Sequence, residues 1–114
     1  MIAVEEILTA AVEKGVTDIF IIAGSRIAIK SKGKIAALDE EEDKVTPDTS
    51  RELIGRIYEL ARRDIKAVED GDDDFAFSMP GLSRFRASVY RQRGSLAAVI
   101  RIISFGIPDF RSMS

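Results

Sequence analysis

The chain has 114 residues, 46% of them apolar, with 17 basic against 19 acidic side chains and neither cysteine nor histidine. That length is enough for one small domain with a real core. Without cysteine there is no disulfide framework, thiolate nucleophile or thiolate metal site. Without histidine the commonest general base and most zinc chemistry are gone too, so a metal site is not expected. No apolar run approaches the ~20 residues of a membrane span and no leader pattern opens the chain, so the expectation is a soluble, cytoplasmic protein.

Residues 3–14 carry Val4, Ile7, Leu8, Ala11 and Val12 at helical spacing, which predicts an amphipathic helix stopped by Gly15. Ile19-Phe20-Ile21-Ile22 is apolar on both faces and reads as a central strand. Arg26 to Lys30, with Ile27 and Ile29 inward, turns through Ser31-Lys32-Gly33-Lys34 into Ile35 to Leu38, a second hairpin. Gly33-Lys34 is not a phosphate loop: no Gly-x-x-x-x-Gly-Lys-[Ser/Thr] spacing exists, and Ile35 follows the lysine.

Asp39 to Asp43 is a solvated charge run. Thr46-Pro47-Asp48 opens a second helix with Leu53, Ile54, Ile57, Tyr58 and Ala61 on one side, and Arg62-Arg63-Asp64 marks a break in it. Gly55 inside that helix implies close packing at that point. The acidic stretch Glu69 to Asp74 begins like a calcium loop, but Phe75 stands where glycine is required and Gly81 where the bidentate glutamate is required. A solvated turn is the reading. Phe75, Phe77 and Met79 then alternate inward in a strand that Pro80-Gly81 ends.

Leu82 to Ile103 is the most informative stretch. Phe85, Ala87 and Val89 alternate with Arg84, Arg86, Ser88 and Tyr90, and Leu96 to Ile103 is apolar except for Arg101. A turn at Arg93-Gly94 pairs Gln92 with Ser95, which sets Arg86 opposite Arg101, Ser88 opposite Val99 and Arg84 opposite Ile103. Two arginines directly opposite repel. Something acidic belongs over them: a carboxylate of this chain, a partner's carboxylate, or a phosphate. The charge distribution sharpens the point, since residues 1–74 hold 11 basic and 18 acidic side chains, whereas residues 75–114 hold six arginines, no lysine and Asp109 alone. The plainer account is that the basic hairpin covers the domain's own acidic side.

The element order is α-β-β-β-α-β-β-β, an α+β domain with a largely antiparallel sheet. The expected core is Ile7, Leu8, Val12, Phe20, Ile22, Ile54, Ile57, Phe77, Phe85, Val89 and Ile100. Residues 1–103 form the domain, and residues 104–114, with Gly106 and Pro108 and no period, read as the start of a linker.

This order of segments, together with Val16-Thr17-Asp18-Ile19, Ala23-Gly24, the turn at Gly33, Asp74-Phe75-Ala76-Phe77, Pro80-Gly81, Arg84-Phe85-Arg86, Arg93-Gly94 and Ile100-Arg101, resembles the N-terminal domain of the type IV pilus retraction ATPases. These are the PilT-like twitching-motility motors of the secretion-ATPase superfamily. Two departures stand out. Ile19-Phe20-Ile21 follows Asp18 where the family has a strand with a histidine, and the RecA-like ATPase domain with its Walker motifs is missing.

The resemblance implies a PAS-like fold, and a hexameric parent protein that uses ATP and Mg. In it this domain packs on the ATPase domain of a neighbouring subunit. The positions matching the arginines that reach toward nucleotide at the subunit boundary are Arg86 and Arg101, then Arg93, with Arg84 as a surface or interface ion pair. It further implies a cytoplasmic protein peripheral to the inner face of the membrane, touching the pilus inner-membrane platform. The opening helix at Met1 points to the retraction branch over the extension and secretion branches, which carry additional N-terminal sequence. The fragment itself is expected to be no enzyme and to hold no cofactor. Two other readings are a nucleic-acid-binding module built on the arginine hairpin with Phe85 and Tyr90, and a free-standing PAS-like sensor with an apolar cavity. The acidic remainder of the chain and the inward phase of Phe85 oppose nucleic acid as a partner.

Overall fold

The computed structural model describes residues 3–103, so the linker expected at 104–114 lies outside the described residues. Helix α1 spans Val4–Lys14. At its start the Glu6 carboxylate accepts the Ala3 N–H at 2.9 Å. At its end Gly15 takes the left-handed conformation that closes the last turn (φ 71°). Three short strands follow: β1 (Asp18–Ile21), β2 (Ala28–Ser31) and β3 (Lys34–Ala37).

Helix α2 runs over Pro47–Ala61, and the Thr46 hydroxyl accepts the Thr49 N–H at 3.1 Å as its cap. Arg62, left-handed, ends it, and the break expected at Arg62-Arg63-Asp64 leads into a 3-10 helix over Ile65–Asp70. Strands β4 (Asp73–Met79), β5 (Ser83–Gln92) and β6 (Ser95–Ile103) complete the order. The six strands form one sheet in the order β3-β2-β1-β6-β5-β4, with every neighbouring pair antiparallel. The α+β architecture and the element order are those read from the sequence.

The β5–β6 register is as expected: Gln92 faces Ser95, Ser88 faces Val99, Arg86 faces Arg101 and Arg84 faces Ile103. Arg93 and Gly94 both have positive φ (54° and 82°). That two-residue turn twists with the strands it joins and so holds the register.

Both helices lie against one face of the sheet. Val4, Ile7, Leu8 and Ala11 of α1 and Leu53, Ile54, Ile57 and Tyr58 of α2 share one buried cluster with Ile19, Ile21, Phe75, Phe77, Phe85, Val89 and Ile100. Tyr58 and Phe75 meet at 4.8 Å between ring centroids, and Phe77 stacks on Phe85 at 5.1 Å.

Three sequence expectations are corrected here. Ile19 and Ile21, not Phe20 and Ile22, are the residues of this apolar run that are buried in the core. An all-apolar run carries no phase of its own, and the phase is imposed by pairing, which sets Ile19 against Ile100 and Ile29. Val12 is partly buried at the margin of the core. Gly55 is not a close-packing position, because a Cβ built there meets no atom within 4 Å.

The acidic stretch before β4 is also not simply a solvated turn. Asp73 is 6% exposed. It accepts hydrogen bonds from the Tyr58 hydroxyl at 2.8 Å and from Arg63 Nε at 2.8 Å, with Arg63 Nη2 on its other oxygen. Arg63 also lies over the Phe75 ring, 5.3 Å from its centroid. The cluster ties the end of α2 to the start of β4. The paired Arg63 guanidinium holds the Asp73 carboxyl below its ordinary value against the opposing effect of burial, and burial together with Asp73 raises the Tyr58 phenol.

Two stability measurements follow from these contacts. Gly55→Ala stabilises the chain by about 0.5–1 kcal/mol in denaturant unfolding, since the helix gains alanine propensity without a clash. Asp73→Ala costs about 2 kcal/mol at pH 7, because the buried Tyr58 hydroxyl loses its acceptor. The Asp73 contribution is complete above the unfolded aspartate value of about 3.9 and is lost as pH falls through the depressed folded value. Unfolding free energy measured from pH 6 down to pH 2 therefore falls less steeply for Asp73→Asn than for wild type.

Candidate functional site: an arginine row on the open sheet face

The sheet face turned away from both helices collects the arginines singled out by the sequence. Strand alternation puts Phe85, Ala87 and Val89 into the core and leaves Arg84 and Arg86 exposed on the opposite face. On β6 the same alternation buries Leu96, Ala98 and Ile100 and exposes Arg101. Pairing then lines up one row across the sheet, Ile35, Lys30, Asp18, Arg101, Arg86 and Ala76 in order from β3 to β4. The adjacent row is Ala37, Ala28, Phe20, Val99, Ser88 and Asp74. Arg84 lies beyond Arg86 along β5, between Ser78 and Ile103.

The acidic group expected over the opposed arginines is in part supplied by this chain. Asp18, the first residue of β1, faces Arg101 in the register, and its Oδ2 lies 3.5 Å from Arg101 Nε. The Asp18 side chain is 9% exposed and that of Arg101 is 70% exposed. The carboxylate is thus sunk into the sheet surface while the guanidinium stands out from it. Asp74 is the other carboxylate of this face, one row from Arg86. Among the described residues Arg84 and Arg86 have no carboxylate within ion-pair range.

Arg93 is not part of this group. It sits in the β5–β6 turn, about 20 Å along the strand from Arg86, beside Gly24 and Pro47. The structure therefore gathers Arg84, Arg86 and Arg101 and leaves Arg93 at the other end of the hairpin.

Cross-strand partners sit about 5 Å apart at Cβ, so Arg86 and Arg101 present two guanidinium forks over one small area with a single carboxylate at the side. Such a pair suits an oxyanion with several oxygens, a phosphate above all, because each fork bonds two oxygens in a plane. The row supplies charge and hydrogen bonds. Of the aromatic residues nearby, Phe85 is fully buried, whereas Phe20 and Tyr90 are half-buried on this open face.

Sequence reasoning missed Asp18 as a member of this site, and Asp73 with Tyr58 and Arg63 as a buried cluster. Asp18 was legible in one respect. A charged residue two positions before Phe20 shares its face in a strand, and that face has to be the outer one.

No groups of three or more candidate metal ligands occur among the described residues, and no described helix is long and apolar enough to cross a membrane.

No family model matches the chain. Relatives do. The type IV pilus ATPase PilU of Pseudomonas aeruginosa is 34% identical over 110 residues, which is 96% of this chain and 28% of PilU. The type IV pilus retraction ATPase PilT of the same organism is 26% identical over 104 residues, 88% of this chain and 28% of PilT. Among solved structures, the pilus retraction motor PilT with bound ADP matches with a TM-score of 0.79 and 33% identity, over 98% of this chain and 32% of that one. The Legionella pneumophila ATPase DotB, 18% identical over 90% of this chain and 30% of its own, shares the fold with a TM-score of 0.68. The chain spans less than a third of the length of the relatives it matches. With likeness to PilU through nearly all of its length and a fold that superposes on PilT, the chain is a PilT-like N-terminal domain.

Proposed function

We propose that this domain serves within a longer, hexameric type IV pilus retraction ATPase, where it packs against the ATPase domain of a neighbouring subunit and turns Arg86 and Arg101 toward the phosphates of ATP bound at the subunit boundary. The observation that carries the reading is the exposed, directly opposed Arg86–Arg101 pair, which has a surplus of positive charge over its one adjacent carboxylate. Such a pair is costly to keep unless an anion visits it.

Charge spreads over the γ-phosphoryl oxygens during transfer to water, and guanidinium groups placed beside them stabilise that charge. ATP and Mg belong to the parent protein, and this domain adds fixed donors to a reaction carried out on its neighbour. Arg84 flanks the pair as an interface contact. Arg93, at the far end of the hairpin, makes a separate inter-subunit contact. Residues 1–103 are the domain, and 104–114 begin the connection to the ATPase domain. The protein works in the cytoplasm at the inner face of the membrane, held there through the pilus platform, and has no nucleic-acid partner. The likeness to PilU and PilT, both pilus ATPases, supports this setting.

In the longer protein, Arg86→Ala and Arg101→Ala should each lower steady-state ATP hydrolysis at least about tenfold, with circular dichroism and ring assembly unchanged. Hydrolysis at the wild-type rate in both variants shows that the pair serves packing alone.

A further inference from the structure

The arginine row contains one residue built unlike the others. Arg84 and Arg86 stand exposed with no carboxylate in range among the described residues, whereas Arg101 has Asp18 beside it at 3.5 Å. Nε is the guanidinium nitrogen nearest the carboxylate, at ion-pair and not hydrogen-bond distance.

Asp18 is itself unusually well fixed. It pairs with Lys30 of β2 on one side and Arg101 of β6 on the other. The residue before it is bonded in both directions as well: Thr17 N–H donates to the Lys30 carbonyl at 2.8 Å, and the Thr17 carbonyl accepts the Ile102 N–H at 3.0 Å. A short side chain on a backbone paired on both sides, 9% exposed, has little freedom. The long side chain of Arg101, 70% exposed, has much.

We propose that Asp18 is a positioning residue for Arg101. Its charge draws the Nε edge of the guanidinium toward the sheet and thereby turns the terminal fork outward, toward the oxyanion that Arg86 approaches from the opposite strand. This inference rests on the reading of the row as a contact to the ATP phosphates. The ligand chemistry is that of a phosphate: two forks and several oxygens, with one fork held in advance of binding and the other free to adapt.

The test is a double-mutant cycle in the longer ATPase-bearing protein, measuring kcat and KM for ATP with Asp18→Asn, Arg101→Ala and the double variant. The asparagine keeps the shape of Asp18 and removes its charge. The expected result is a fall of about tenfold in kcat/KM for Asp18→Asn, no further loss when it is added to Arg101→Ala, and an unfolding midpoint close to wild type. An equal loss in both backgrounds overturns the proposal, because Asp18 then acts on the fold and not through Arg101. A loss for Arg101→Ala with none for Asp18→Asn also overturns it and leaves the phosphate contact standing. Unchanged hydrolysis in all variants overturns the phosphate contact and the positioning role together.

A second measurement needs no variant. In the 114-residue chain the Arg101 Nε–H should exchange with water more slowly, and show more restricted side-chain motion by NMR, than that of Arg84. Equal exchange and equal motion for the two overturn the proposal.

Discussion

The register of the β5–β6 hairpin is the constraint from which the rest of the molecule follows. Side chains alternate along a strand, so a slip of one residue would carry every apolar group of β5 to the opposite face. The Arg93-Gly94 turn, with both residues in the left-handed region, admits one pairing. In that pairing Phe85, Ala87 and Val89 stand beside Ile102, Ile100 and Ala98 under the helices, and Arg86 stands beside Arg101 on the other side. The core and the arginine pair are therefore two faces of one structural decision. The repulsion between the arginines is tolerated because moving either of them inward would expose the aromatic and aliphatic residues that hold the sheet to α2.

Strand β1 converts two hairpin units into one sheet. It lies between β2 and β6, and its pairing with β6 brings Ile19 against Ile100 in the core and Asp18 against Arg101 outside it. At the other edge the start of β4 is tied to the end of α2 by the Tyr58–Asp73–Arg63 cluster. Both charged clusters sit where a strand begins beside a neighbour already in place, and each has a nearly buried carboxylate with an arginine reaching it from a more exposed position. Their exposure separates their consequences. Arg63 is committed to Asp73 by two nitrogens and to the Phe75 ring, whereas Arg101 approaches Asp18 at 3.5 Å through Nε and stays 70% exposed. The first arrangement fastens the fold, and the second leaves a donor presented at the surface.

This domain presents Arg84, Arg86 and Arg101 on an open sheet face. It has no histidine and no cysteine. What it offers is rigidity: long side chains with forked donors, rooted on strands whose backbones are paired on both sides. Donors held on a sheet are placed more reproducibly than donors on a loop. Preorganisation of that kind is what lets donors stabilise a developing charge without first having to rearrange.

The sequence by itself determined the element order, the two helical stripes, the turn at Arg93-Gly94 and, through it, the Arg86–Arg101 opposition, because each of these is set by local periodicity or local backbone preference. It also indicated that something acidic, a carboxylate or a phosphate, belonged near the pair. Tertiary structure decided that Asp18 of this chain stands beside it. Asp18 lies more than eighty residues from Arg101 in the chain, and only the β1–β6 pairing brings them together. The apolar run Ile19 to Ile22 carries no phase within itself; Asp18 just before it marks the outer face, and pairing with β6 sets Ile19 and Ile21 toward the helices. Asp73 was hidden as one of five acidic residues in the run Glu69 to Asp74. What distinguishes it is the Tyr58 hydroxyl and the Arg63 guanidinium arriving from α2 and the turn behind it. Local signals fix what a segment becomes, and charge pairs between distant segments are chosen by the sheet that assembles them.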